Sequence, residues 1–231
     1  MGTSVKNRRK RIKAVKAGGG QLWVTITALV AIVAAGLIGW GIYETQRPTT
    51  YATPAGANPS GDGLVLGDGP VTVDLYVDLQ CPICQNFEGT AGATLNQLVA
   101  DHTIKIVYHP IAILDDRSTT GYSTRAGAAV AASGGTGKLA DYLTALYKAQ
   151  PAEGSAGLTN AELIRIAGTV GITDQSFADA VDSGQYRSWV THVTEVADGK
   201  GIRATPTVLV NGQPVDAQLD AVQAAINAVA A

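Results

Sequence analysis

Residues 71–84 read Val71-Thr72-Val73-Asp74-Leu75-Tyr76-Val77-Asp78-Leu79-Gln80-Cys81-Pro82-Ile83-Cys84, an apolar alternation that ends in the only two cysteines of a 231-residue chain. Val71, Val73, Leu75 and Val77 recur with period two, which predicts a strand over 71–79 with those side chains on one face. The cysteines follow at once. Pro82 suits the first turn of a helix, where its missing N–H would have had no intrahelical partner. Two thiols three positions apart on such a turn can close a small disulfide ring, and the positive end of the helix dipole favours a thiolate at the leading one. The chemistry implied is thiol-disulfide exchange.

Outward from this stretch, Leu64–Leu66 reads as a short strand before a Gly-Asp-Gly-Pro turn, and a helix is predicted from Pro82 to about Ala100. Thr103–Ile113 is the next strand, ending around Pro110. Residues 119–200 are alanine-rich and helical in period, with helices predicted over 119–132, 137–149, 160–170, 174–182 and 186–199. Thr159 followed by Glu162 forms a capping-box pattern ahead of Leu163 and Ile166. Val208–Val210, Asn211-Gly212 and Gln213–Val215 then predict a hairpin with a type I′ turn, and 217–229 carry Leu219, Val222, Ile226 and Val229 at helical spacing. This order gives an α/β fold in which a helical insertion, about 115–200, separates two halves of one sheet.

The N-terminal part has a different character. Residues 1–16 carry seven Lys/Arg and no acid, leaving 10 basic against 19 acidic residues in the rest of the chain. Residues 22–43 (LWVTITALVAIVAAGLIGWGIY) contain no charge, and a helix of that length spans a hydrocarbon core of about 30 Å. Trp23 near one end, Trp40 and Tyr43 near the other, and the basic cluster before the run predict a single-pass anchor with its N-terminus cytoplasmic. Segment 1–21 is then a cytoplasmic basic stretch, and everything after Tyr43 is exported. A cleaved signal peptide is the alternative, although its apolar core would run only about 7–15 residues. The anchor also accounts for the basic cluster without nucleic acid; its partner is the lipid bilayer. Residues 44–63, rich in Pro, Thr, Gly and Ala, read as a flexible linker, and 64–231 as one globular domain. Two cysteines cannot form a structural framework, so in an oxidising compartment this pair is a working disulfide.

Cys81-Pro82-Ile83-Cys84 after a strand, the helical block, and Thr205-Pro206-Thr207 before a hairpin closed by Asn211-Gly212 together resemble the thioredoxin superfamily. Within it, 64–231 looks most like exported DsbA-type thiol-disulfide oxidoreductases, including membrane-anchored forms. The resemblance implies that Cys81 is the nucleophile, that Cys84 resolves, and that Thr205 and a cis Pro206 help hold the substrate chain. It implies oxidation of exported cysteine-containing proteins through a mixed disulfide at Cys81, with a membrane-embedded partner resetting the pair and no cofactor or metal. Two departures stand out. The acid that the family often carries six residues before the first cysteine is Leu75 here, and Asp74 and Asp78, read on a continuous pleat, point to the opposite face. Strongly oxidising members place a histidine donor between the cysteines, whereas Ile83 supplies none. A less depressed Cys81 pKa and a less oxidising potential are expected than in those members.

Other readings of the same residues remain open. The site could run as a reductase or an isomerase. Cys81 and Cys84 could bind metal with His102, His109 or His192, although the histidines show no paired spacing. A non-catalytic substrate-binding or chaperone module would use the groove beside Pro206. Arg125, Tyr142, Tyr147, Trp189 and Arg203 are candidates for substrate contact that core packing or solvation explains equally well.

Overall fold

The computed structural model of the protein describes residues 50–230 together with Ile26, Val33 and Gly36. The expected anchor over 22–43 otherwise lies outside the described residues, among which no helix is long and apolar enough to cross a membrane. The segment 1–21, expected to be cytoplasmic, also lies outside them.

A five-stranded sheet has the order β1-β3-β2-β4-β5, formed by β1 (Leu64–Leu66), β2 (Val71–Val77), β3 (Ile104–Pro110), β4 (Thr207–Val210) and β5 (Gln213–Val215). β2 and β3 are parallel and joined by the crossover helix α1 (Pro82–Ala100); the other pairings are antiparallel. Central position explains why β2 reads as apolar. From Leu75 to Val77 it is buried on both faces. Register sets Leu75 beside Tyr108 and Val208, and Tyr76 beside His109 and Thr207.

Five α-helices, preceded by a short 3-10 turn (Asp115–Arg117), separate β3 from β4: α2 (Tyr122–Ser133), α3 (Leu139–Lys148), α4 (Asn160–Thr169), α5 (Gln175–Ser183) and α6 (Arg187–Gly199). α7 (Leu219–Ala230) closes the described fold. The elements predicted over 64–231 are all present, with shifts at their ends. α2 starts at Tyr122 rather than 119 because Gly121 has φ +63°, a left-handed conformation that cannot continue a helix, and Asp115 accepts from the Thr124 N–H at 2.9 Å. The capping box of α4 is complete: Glu162 N–H donates to Thr159 Oγ1 (3.3 Å) and Thr159 N–H to Glu162 Oε2 (2.7 Å). Asn211 (φ +47°) and Gly212 (φ +79°) give the hairpin its expected turn.

The linker reading fails over 50–63. Ala57 pairs with Leu64, Trp189 Nε1 donates to the Gly61 carbonyl at 2.6 Å, and Tyr51 stacks on His192 at 4.4 Å. Asn58 Oδ1 accepts the N–H groups of Asp62 (3.0 Å) and Gly63 (3.2 Å). Lys200 Nζ reaches the buried Asp62 carboxylate at 2.7 Å. Composition misleads here because this stretch is held by side-chain hydrogen bonds and a clip to α6, neither of which requires apolar periodicity. Only 44–49 of the expected linker lies outside the described residues.

Candidate active site

Cys81 is the N-cap of α1, with extended backbone (φ −77°, ψ 118°), and Pro82 is the first helical residue. The Cys81 N–H donates to the Asp78 carbonyl (3.1 Å), and its own carbonyl accepts from the Gln85 N–H (3.1 Å) and from Gln150 Nε2 (3.0 Å). The end of β2, the helix start and the C-terminal side of α3 therefore hold one thiol in place. Cys81 is 6% exposed and Cys84 1%, whereas Ile83 between them is 65% exposed. The two thiols are unbridged.

Thr205 lies against Cys81, and the bond joining it to Pro206 is cis. Cys81 Sγ is 3.4 Å from the Thr205 carbonyl, to which the thiol can donate; as a thiolate it accepts instead from the Thr205 hydroxyl. The sequence candidates Cys81, Cys84, Thr205 and Pro206 thus come together from two ends of the domain.

The two sulfurs have opposed acidities. A hydrogen bond from the Cys84 thiol is the largest influence on Cys81; burial opposes it, and donors from Thr205 and the Cys84 and Ile83 N–H groups add to it, leaving the pKa at about 5. Burial pushes the Cys84 thiol up, and the adjacent Cys81 sulfur pushes it further. One group is a thiolate at neutral pH; the other keeps its proton.

Asp78 sits just beyond the end of β2 at Val77, on the side of the helical insertion, and its side chain is fully buried. Its carboxylate accepts from Ser123 Oγ (2.6 Å), Gln80 N–H (2.9 Å) and Leu114 N–H (3.0 Å). Burial raises its pKa to about 6 despite those donors, and the Cys81 charge adds to the rise. An acid therefore stands close to the pair from a position three residues before it. Alternation alone does not reveal this. Asp74 is elsewhere, 3.0 Å from His109 Nε2.

The histidines and other candidates have ordinary partners. His102 meets Asp68, His109 lies between the Asp62 carbonyl and Asp74, and His192 stacks on Tyr51. Among the described residues no group of three or more His, Cys, Asp or Glu side chains could hold a metal ion. Trp189, Tyr142 and Tyr147 are core residues. Arg125 donates to the carbonyls of Thr120, Ala156 and Leu158, and Arg203 pairs with Asp198 on the surface. Gln85 and Gln150, which brace the Cys81 loop and α3 against each other, carried no recognisable signal in the sequence, and Tyr147, a candidate for substrate contact, instead accepts from Gln85 through its carbonyl.

Residues 60–228 match the family profile described as Thioredoxin. Reduced DsbG of Mycobacterium tuberculosis, a disulfide bond oxidoreductase, is similar with a TM-score of 0.66 and 30% identity over 75% of this chain and 89% of that one. Oxidised Mtb DsbA gives a TM-score of 0.65 and 30% identity over 73% and 93% of the two chains. The serine/threonine-protein kinase PknE of M. tuberculosis is 32% identical over 159 residues, 64% of this chain. This chain spans 28% of the length of that relative.

Proposed function

The chain belongs to the thioredoxin family, and from that membership we propose that it is an extracytoplasmic thiol-disulfide oxidoreductase in which Cys81 and Cys84 form disulfides in exported proteins. Disulfide exchange itself is supported by the likeness to DsbG and DsbA. Oxidation as the direction is supported chiefly by one observation, the Cys81 thiol depressed to about 5 at a helix N-terminus. A thiolate held that low stabilises the reduced pair and so makes the disulfide the better oxidant.

In the proposed cycle a substrate thiolate attacks Cys81 Sγ of the disulfide, the Cys81–Cys84 bond breaks, and Cys84 leaves and takes up a proton. A second substrate thiolate attacks the substrate sulfur of the mixed disulfide, and Cys81 leaves as the thiolate. The substrate gains a disulfide, and the pair carries two electrons to a membrane-embedded redox partner. Thr205 and Pro206 dock the substrate chain beside Cys81. The uncharged run 22–43 anchors the domain to the bilayer with the N-terminus cytoplasmic, which keeps the search for that partner near the membrane surface.

Trapping tests the reading. Cys84→Ala in the full chain is expected to accumulate mixed disulfides with exported proteins, and Cys81→Ala none. Equal trapping by the two variants would refute the roles assigned to the cysteines. Reductase or isomerase action uses the same atoms, and the redox state of the trapped substrates in the parent cell separates the directions.

A further inference from the structure

Beside the pair, a groove follows the side of α1 that faces α3. Its wider part is a cavity of about 730 Å³ lined by Glu88, Gly89, Asn96, Thr144 and Lys148 among others. A smaller lobe of about 160 Å³ shares Glu88, Gly89, Thr144 and Lys148 and extends to Gln85. Gln85 lies one helical turn from Cys81, to whose carbonyl its N–H donates. The groove therefore begins one helical turn along α1 from Cys81.

Its polar groups are arranged to accept. Thr144 Oγ1 donates to Glu88 Oε1 at 2.6 Å, while Oε2 has no donor among the described residues. The Glu88 carboxylate lies over Gly92, where an added Cβ would stand 2.7 Å from Oε1 and 3.0 Å from Oε2. Gly92 thus leaves room for the carboxylate to lie along the helix. At Gly89 an added Cβ would meet nothing within 4 Å, so the floor is open. Further along, Asn96 Oδ1 is buried without a partner. An orphaned amide oxygen and a half-satisfied carboxylate both call for a donor, and a cationic donor suits them best. The chain outside its basic head is itself strongly acidic, with 19 acidic residues against 10 basic.

We propose that this groove is a subsite for a basic side chain, Lys or Arg, of the polypeptide joined to Cys81, its head held by Glu88 and Asn96. The proposal rests on Cys81 being the point of attachment. Lys148 at the rim takes a backbone carbonyl of the same chain. Seven helical residues from Cys81 to Glu88 correspond to about 10 Å, and an extended chain advances about 3.3–3.6 Å per residue. The basic residue accordingly stands about three positions from the substrate cysteine.

The test uses the oxidised full-length chain and short single-cysteine peptides carrying arginine three positions from the cysteine, arginine six positions away, or norleucine in its place. Arginine at three is expected to exchange roughly two- to fivefold faster than norleucine, a difference of the size that one partly exposed charge contact supports. The ratio should fall towards one in Glu88→Gln and in Gly89→Leu, which fills the groove and replaces a helix-weakening glycine. Equal acceleration at both offsets, or a ratio unchanged in Glu88→Gln, overturns the subsite. A second readout needs no exchange. The serine analogue of the arginine peptide should shift the backbone amide resonances of Gly89 and Asn96 in the wild type and not in Glu88→Gln, and absence of those shifts overturns the subsite. If the norleucine peptide does not exchange at all, the redox roles of Cys81 and Cys84 fall, while the resonance shifts still decide the groove.

Discussion

Replacing Cys84 by alanine removes the largest cause of the low Cys81 pKa, the S–H that donates to the Cys81 thiolate. A hydrogen bond to a charged group contributes about 1.5–3 kcal/mol, and about 1.4 kcal/mol corresponds to one pH unit. Loss of that donor should therefore lift the Cys81 midpoint from about 5 by about one to two units, to about 6–7. It should not return to the range of a free thiol, because the Thr205 hydroxyl and the backbone N–H groups at 83 and 84 survive the substitution. At neutral pH the thiolate fraction would fall from about 99% to between about half and nine-tenths. The assay is thiolate ultraviolet absorbance against pH, paired with alkylation rate. In the wild type both report Cys81 alone, since the Cys84 thiol is pushed up out of the titrated range. A variant midpoint still near 5, or one near a free cysteine's, would refute the assignment of the Cys84 thiol as the principal donor.

A thiol midpoint of about 5 lies between those of thioredoxin and DsbA, and at about 30 mV per 1.4 kcal/mol it places the pair at about −165 to −210 mV, measured by equilibration with glutathione. Ile83→His, at a position 65% exposed, should make the pair more oxidising by adding a donor, and a fall in potential would contradict the reasoning. For Asp78 the sign follows from a folded pKa of about 6 against an ordinary 3.8: its contribution is fully present below about 4 and is lost as pH rises through about 6, an effect of up to about 3 kcal/mol. Urea unfolding of the reduced protein across that window should show a slope that Asp78→Asn lacks. Burial alone would raise the Asp62 pKa, but hydrogen bonds from Lys200, Ser60 and Asn58 hold it below the usual carboxylate range. Asp62→Ala should destabilise the domain by about 2–4 kcal/mol in the same unfolding assay at neutral pH, and a loss below half a unit of that scale would show that the clip to α6 is idle.

What could be read from the chain beforehand was whatever repeats or punctuates. Period-two alternation located β2, period-3.6 spacing located the helical block, and Asn211-Gly212 and the Thr159–Glu162 pair marked a turn and a cap by local chemistry. Residues 50–63 were misread because their order comes from Asn58, Asp62 and the distant Trp189 and Lys200. No local window contains both partners of such contacts. The cysteines and the Thr205-Pro206 step were visible as motifs, while the Gln85 and Gln150 braces from α1 and beyond α3 depend on packing that only the folded chain provides.

Asp78 shows how an acid just past the end of a strand can act on the pair. It lies three residues before Cys81, fully buried, its carboxylate accepting from Ser123, Gln80 and Leu114. The charge at Cys81 raises the Asp78 pKa, and reciprocity requires that an ionised Asp78 disfavour the Cys81 thiolate. Above about pH 6 the acid thus opposes the donors that favour the reduced pair. Below that pH, protonated, it ceases to oppose them. Forming the disulfide removes the Cys81 charge, so Asp78 should release its proton more readily in the oxidised protein. Potential and protonation are then linked through this one side chain, and the stabilisation of the Cys81 thiolate is moderated from just beyond the end of the strand.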